Sequence, residues 1–240
     1  MTMISDNLHA VRGRIRAASL RRAAGAGSVA LLAVSKTFGA DAVQAAFDAG
    51  QTAFGENYIQ EALEKIATLR HLPIIWHCIG PVQSNKTRLV AEHFDWVQSI
   101  DRLKTAQRLS EQRPAHLAPL QVCIQVNLDG GANKSGVSPQ EVPALAEAVA
   151  RLPRLTLRGL MCIPEFTPDL VAQKLLFSRA RAIFDQINAK KLAISSKINP
   201  QVNVLTLDTL SMGMTADLEA AIEAGSTLVR VGTALFGERS

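Results

Sequence analysis

Short apolar runs with the character of buried strands alternate with helical patterns from residue 29 to the end of the sequence, eight times over. The runs are Val29–Ser35, Thr52–Phe54, Ile74–Ile79, Trp96–Ile100, Leu120–Asn127, Leu155–Met161, Asn203–Leu207 and Thr227–Val231. Helical stretches lie near residues 40–49, 57–70, 84–93, 101–112, 138–151, 168–190 and 214–224, and a last short turn follows residue 232. Eight strands, each followed by a helix, is the count that closes a (β/α)8 TIM barrel in the α/β class. An open doubly wound sheet is the alternative, but it usually needs fewer strands, and its G-x-G-x-x-G after the first strand is missing. No linker or composition break divides the 240 residues, so one barrel domain is expected over 1–240. Aromatic residues make up only 5%, which leaves Ala, Val, Leu and Ile to fill the core and suits parallel strands covered by helices. Ahead of the first run, Ile4, Leu8, Val11 and Ile15 line one helical face with the arginines largely elsewhere, predicting an extra N-terminal helix packed on the body.

The net charge of +5 raises the question of an acidic partner. The excess sits at the N-terminus (Arg12, Arg14, Arg16, Arg21, Arg22) and between residues 151 and 197. No nucleic-acid motif accompanies it, and one Tyr and two Trp leave little for base stacking, so a solvated basic face is expected and no nucleic acid. Cys78, Cys123 and Cys162 each lie in an apolar run, which predicts buried reduced thiols and a reducing compartment. The N-terminus lacks a continuous apolar segment of the signal-peptide kind, and nothing approaches the roughly 18 apolar residues of a membrane span. The expectation is a cytoplasmic protein without a membrane partner, a monomer rather than a dimer.

A barrel puts its chemistry on the loops after the C-terminal ends of its strands. Lys36 stands there, after the apolar LLAVS run. An ammonium at the edge of an apolar interior is partly desolvated, which favours the nucleophilic free amine that a Schiff base requires. The plain alternative is a strand-end lysine reaching solvent. Phosphate sites in such barrels form from the loops after strands seven and eight and a short extra helix. Ser211-Met212-Gly213 and Gly232-Thr233 occupy those positions, although glycines also simply terminate strands. Arg230, inside the apolar TLVRVGTALF, points into the barrel or onto a helix according to register, and it is costly there unless paired. A lysine amine, a phosphate cradle and an inward arginine together describe a pyridoxal 5'-phosphate site, with the arginine at the pyridine nitrogen restraining carbanion chemistry. Asn57 either contacts the cofactor or caps the next helix, and residue type favours capping. His77 reads as a core histidine. Glu56 and Glu165 are isolated in sequence, and metal-ligand spacings are missing.

At these residues the chain resembles the pyridoxal phosphate homeostasis proteins of the YggS type, which are similar to the N-terminal barrel of alanine racemase. The stretches that carry the resemblance are AVSKT at 33–37, FGENYIQE at 54–61, WHCIGPVQSNK at 76–86 and KSG at 134–136. They continue as RGLMCIP at 158–164, LSMGM at 210–214 and AGSTLVRVGTALFG at 224–237. The resemblance implies a fold-type III barrel with Lys36 as the Schiff-base lysine, and Asn57, Ser211, Arg230, Gly232 and Thr233 at the cofactor. Two positions depart from common forms. Phe38-Gly39 replaces a frequent Lys-Pro, and Thr215-Ala216 replaces a frequent Ser-Asp, which leaves the helix start after strand seven open. The resemblance further implies a holder of pyridoxal phosphate without established turnover, with apo-enzymes that use the cofactor as recipients. The racemases draw a proton-carrying tyrosine from a further C-terminal β-domain. Here the sequence ends soon after Arg230 and its sole tyrosine is Tyr58, so a non-catalytic carrier is expected. A cofactor-dependent racemase, decarboxylase or aldolase acting on a small amino acid is the alternative. A phosphate-binding barrel without pyridoxal is the third.

Overall fold

The computed structural model describes residues 3–22, 27–131, 134–190, 193–194 and 203–238. Eight parallel strands close into a barrel: β1 (Ala30–Val34), β2 (Ala53–Glu56), β3 (Ile75–Cys78), β4 (Trp96–Ile100), β5 (Leu120–Val126), β6 (Leu155–Cys162), β9 (Thr209–Ser211) and β10 (Leu228–Val231). Closure comes from β1 pairing with β10, Ala30 opposite Leu228 and Ala33 opposite Val231. Around the barrel lie α2 (Ala40–Asp48), α3 (Ile59–Thr68), α4 (Thr87–His93), α5 (Leu103–Gln112), α6 (Val142–Ala150), α7 (Leu170–Ala189), α8 (Leu218–Glu223) and the short α9 (Thr233–Phe236). The strands are almost entirely buried, as parallel strands covered by helices must be.

The extra N-terminal helix is α1 (Met3–Ser19). It buries Leu8, Val11, Ile15 and Ala18, with Ile4 packed at the edge of the same core. Its polar residues reach the ends of later elements. Asn7 donates to the Leu235 carbonyl at 3.0 Å, and Arg14 holds Glu219 at 2.7 Å and the Thr215 carbonyl at 2.9 Å. Arg12 donates to the Gly50 carbonyl at 2.7 Å, and Arg21 pairs with Glu223 at 2.5 Å. Much of the N-terminal basic excess is therefore spent on joining elements of the fold. The second basic stretch runs to Lys197, which lies outside the described residues.

The seventh barrel strand corrects the reading of Asn203–Leu207. The barrel strand is Thr209–Ser211, while β8 (Asn203–Val204) pairs antiparallel with β7 (Ala193–Ile194) in a separate two-stranded ribbon. Leu205, Leu207, Thr209 and Ser211 are all buried, so the period-two pattern runs straight through the boundary. Between the two strands, the backbone of Leu207 bonds in both directions to the Asn188 side chain on α7 rather than to a neighbouring strand.

The register between β6 and its neighbours depends on one missing side chain. The β5–β6 pairing shifts by one residue, from Val122–Leu157 to Cys123–Gly159. Arg158 is the extra residue; its guanidinium pairs with Asp208 at 2.6 Å and lies 4.9 Å from the Trp96 ring centroid. At Gly159 an added Cβ would fall 1.6 Å from the Thr209 carbonyl oxygen. Gly159→Ala is expected to cost about 3 kcal/mol or more, because backbone rather than a movable side chain blocks the methyl group. Urea unfolding monitored by circular dichroism should show the midpoint fall accordingly.

Candidate binding site at the barrel mouth

Parallel strands in a closed barrel all end at one rim, so the residues following each strand converge there. β1 delivers Val34, buried Ser35 and then half-buried Lys36. β2 delivers Glu56 and Asn57, and β10 delivers Arg230, Gly232 and Thr233. One cavity of about 260 Å³ is lined by Lys36, Asn57, Arg230, Gly232 and Thr233, with Phe38, Ile79, Ile163 and Met214 among its apolar walls. Five of the six candidate residues therefore meet at one place.

The sixth, Ser211, is fully buried and does not line that cavity. It serves Arg230. The Arg230 guanidinium, itself buried, donates through Nη1 to the Ser211 hydroxyl and carbonyl, both at 2.8 Å, and through Nη2 to the Cys162 carbonyl at 2.9 Å. The register question is thus resolved inward. Burial pushes the Arg230 guanidinium below its ordinary value. Because Ser211 Oγ accepts from a guanidinium, its own proton goes onward to Gln98 Oε1 at 2.6 Å. The Gln98 amide nitrogen then faces His77 Nδ1 at 2.9 Å, which must accept. His77 stacks on Trp96 with ring centroids 5.0 Å apart, and burial pushes it down to about 3. It is a neutral core histidine that ends a one-way chain of hydrogen bonds fixing Arg230. Gln98, the amide beside Ser99 in the strand-like WVQSI, was the signal that the sequence offered for this chain.

Asn57 corrects the capping expectation. The N-cap position of α3 is Tyr58, with no side-chain cap bond, and Asn57 Oδ1 is buried with no hydrogen-bond partner among the described residues. Such an atom is costly unless a ligand supplies the donor. Gly80 presses against the Asn57 backbone: a Cβ there would lie 2.2 Å from its carbonyl oxygen. The segment after β9 is closed by Asp217, whose carboxylate accepts from the Met214 amide at 2.6 Å. Asp217 stands at the N-cap position of α8, despite the Thr215-Ala216 departure, without a side-chain bond to the helix's own first turn. Phe38, at the other departure, stacks on Phe236 of α9 with centroids 5.1 Å apart, joining the loop after β1 to the helix after β10.

Glu165 and Lys134 stand away from the cavity lining, Lys134 being paired with Asp129 at 2.5 Å. Cys78, Cys123 and Cys162 are buried free thiols, each pushed up to about 12 by desolvation. Among the described residues, no group of three or more His, Cys, Asp or Glu is placed to hold a metal ion. Two features escaped the sequence reading altogether: the Gln98 link and a buried Lys65 on α3 beneath the Lys36 loop.

Residues 7–240 match the family model described as "Alanine racemase, N-terminal domain". The pyridoxal phosphate homeostasis protein of Pseudomonas aeruginosa is 56% identical over 239 residues, covering 100% of this chain and 97% of that protein. The structure of PipY from Synechococcus elongatus PCC7942 with PLP bound superposes with a TM-score of 0.81 at 35% identity, covering 98% of this chain and all of that one. An alanine racemase of Clostridium difficile 630 shares the fold at 15% identity and a TM-score of 0.67, with 97% of this chain covering 57% of the racemase. With full-length identity above one half and a matching barrel, the chain belongs to the pyridoxal phosphate homeostasis protein family, built on the alanine racemase N-terminal domain.

Proposed function

We propose that this chain, acting as one barrel domain over residues 1–240, holds pyridoxal 5'-phosphate at its mouth and takes part in keeping that cofactor available in the cell. The observation that carries the reading is the convergence of Lys36, Asn57, Arg230 and Thr233 on one cavity, with Asn57 Oδ1 buried and without a hydrogen-bond partner among the described residues. The donor set fits the group. Lys36 offers an amine for the aldehyde, and Thr233 with the bare backbone at Gly232 offers hydroxyl and close approach for phosphate. Arg230 offers a fixed positive charge to the ring nitrogen, and Asn57 offers an acceptor to a hydroxyl or N–H. Ser211 acts through Arg230, whose direction it sets. When bound, the cofactor supplies an electrophilic aldehyde that amines attack. The relatives' name and the PLP-bound PipY structure support the same reading.

The residues around the cavity favour holding over turnover. Racemisation by two bases needs a proton carrier facing the lysine. Among the described residues lining the cavity, Lys36 and Arg230 are the ionisable ones, and a guanidinium is a poor proton carrier. Tyr58 is 58% exposed and does not line the cavity. Arg230, were it to face the ring nitrogen, would further limit the cofactor as an electron sink. The recipients in this reading are apo-enzymes that need the cofactor, and the setting is the cytoplasm, with the chain as a monomer. Among the described residues, no helix is long and apolar enough to cross a membrane.

The test is direct. Protein incubated with pyridoxal phosphate and then reduced with borohydride should carry the cofactor on the Lys36 peptide by mass spectrometry, and Lys36→Ala should abolish that adduct. Absence of the adduct in the unaltered protein would sink the assignment. Sustained turnover of a small amino acid, lost in Lys36→Ala, would favour the enzyme reading instead.

A second outcome follows from the chain behind Arg230. Gln98→Leu leaves the Ser211 hydroxyl and His77 Nδ1 without their partner and is expected to cost about 2 kcal/mol of stability. The folded variant should bind pyridoxal phosphate more weakly and with a displaced absorption band, measured by titration at constant pH.

A further inference from the structure

Beneath the Lys36 loop, outside the cavity, a buried ammonium gathers three bonds. Lys65 of α3 is 4% exposed, and its Nζ donates to the Ser35 carbonyl at 2.7 Å, to Glu56 Oε1 at 2.7 Å and to Glu61 Oε1 at 2.6 Å. Ser35 Oγ also donates to Glu56 Oε1, at 2.6 Å. Glu61 Oε1 in turn accepts the backbone N–H of Thr37 at 2.7 Å. The residues before and after Lys36 are thus both tied to one ammonium, Ser35 directly and Thr37 through Glu61. The same ammonium holds Glu56, the residue before Asn57.

Two observations show that this arrangement does more than fill space. Thr37 sits at φ 70°, a left-handed conformation that a β-branched residue rarely adopts and that persists only where its surroundings enforce it. Its N–H bond to Glu61 and the bond from the Phe38 N–H to the Ser35 carbonyl (3.1 Å) are what enforce it. Secondly, a buried ion pair is a poor way to gain stability, since well-packed apolar residues of similar volume often do as well or better. The Lys65–Glu56 pair is buried on both sides, and Glu56 Oε2 has no hydrogen-bond partner among the described residues. What the pair provides that apolar packing would not is direction: fixed bonds to particular backbone atoms beside Lys36.

We infer that Lys65, with Glu56 and Glu61, is a positioning residue for Lys36, clamping the strained Ser35–Thr37 turn so that the lysine amine is presented to the mouth. This rests on the proposed cofactor reading and adds to it the residue that aims the anchoring amine. Lys65 does not line the cavity, so its route to the lysine amine is through the turn.

The experiment compares the full-length protein with the double variant Lys65→Met/Glu56→Gln, which removes both charges and leaves no lone buried ion. It adds Glu61→Ala, which removes the acceptor of the Thr37 N–H from a partly exposed position. Each is mixed with pyridoxal phosphate, quenched with borohydride at timed intervals and assayed for the Lys36 adduct, alongside the absorption spectrum and a thermal melt. The double variant should retain cooperative unfolding but form the adduct about tenfold more slowly, as expected when a reacting group is loosened from its productive position. Its bound-cofactor band should shift as well. Glu61→Ala should show a smaller loss in the same sense. Wild-type rate and spectrum in a folded double variant would overturn the inference. If that variant does not fold, Glu61→Ala decides alone: an unchanged rate overturns it and a slowed rate supports it. Failure of the unaltered protein to form any Lys36 adduct would instead overturn the cofactor reading itself, and the present inference with it.

Discussion

The pairing of β1 with β10 is the contact on which the rest depends. It joins the first strand of the barrel to the last, with Ala30, Leu31, Leu32 and Ala33 opposite Leu228, Val229, Arg230 and Val231. Because the ladder is parallel, both strands end at the same rim. Lys36, just beyond β1, and Gly232-Thr233, just beyond β10, therefore lie side by side although they come from opposite ends of the sequence. The stack of Phe38 on Phe236 and the bond from Asn7 to Leu235 reinforce the same seam from the mouth and from α1. Without that closure the candidate residues would be a set of loop tips with no common cavity.

Inside this seam the barrel accepts charged and polar groups that an apolar interior would ordinarily reject. Arg230 is tolerated because every acceptor around it is fixed by backbone or by a chain of side chains ending at a neutral histidine. Lys65 is tolerated because three oxygens surround it. Burial pushes the Glu56 carboxyl up, while its bonds from Lys65 and Ser35 act in the opposite direction. The two networks lie behind Arg230 and Lys36: one bonds the guanidinium, and the other is tied to the residues on either side of the lysine. Rigidity at the site is thus obtained from hydrogen-bond direction, which apolar packing cannot supply.

Much of this was legible in the residues. Eight strand-like runs gave the barrel, the Ile4–Ile15 face gave α1, and the rule that barrel chemistry sits after strand ends selected Lys36, Arg230, Gly232 and Thr233. What was misread, and what was not read at all, turned on tertiary contacts. Period-two burial from Leu205 to Ser211 continues past the point where the ladder begins, so the pattern alone put the seventh strand too early. Asn57 has the side chain of a helix cap, but the N-cap position falls to Tyr58, and the Asn57 oxygen is left buried with no hydrogen-bond partner among the described residues. Lys65, spaced four residues from Glu61 on an amphipathic helix, looks like half of an ordinary surface pair until α3 packs it beneath β1 and β2.

The sequence by itself determined the barrel, the rim on which the chemistry lies and the family resemblance, because strand periodicity, helix periodicity and local motifs are written within short windows of residues. The tertiary structure alone decided that Arg230 turns inward onto Ser211 and Cys162, and that Ser211 supports the arginine from outside the cavity. It also decided that Lys65 is a buried cation rather than a solvated one. Those outcomes depend on strand register and on groups brought together from distant positions, where a one-residue shift reverses which face a side chain occupies.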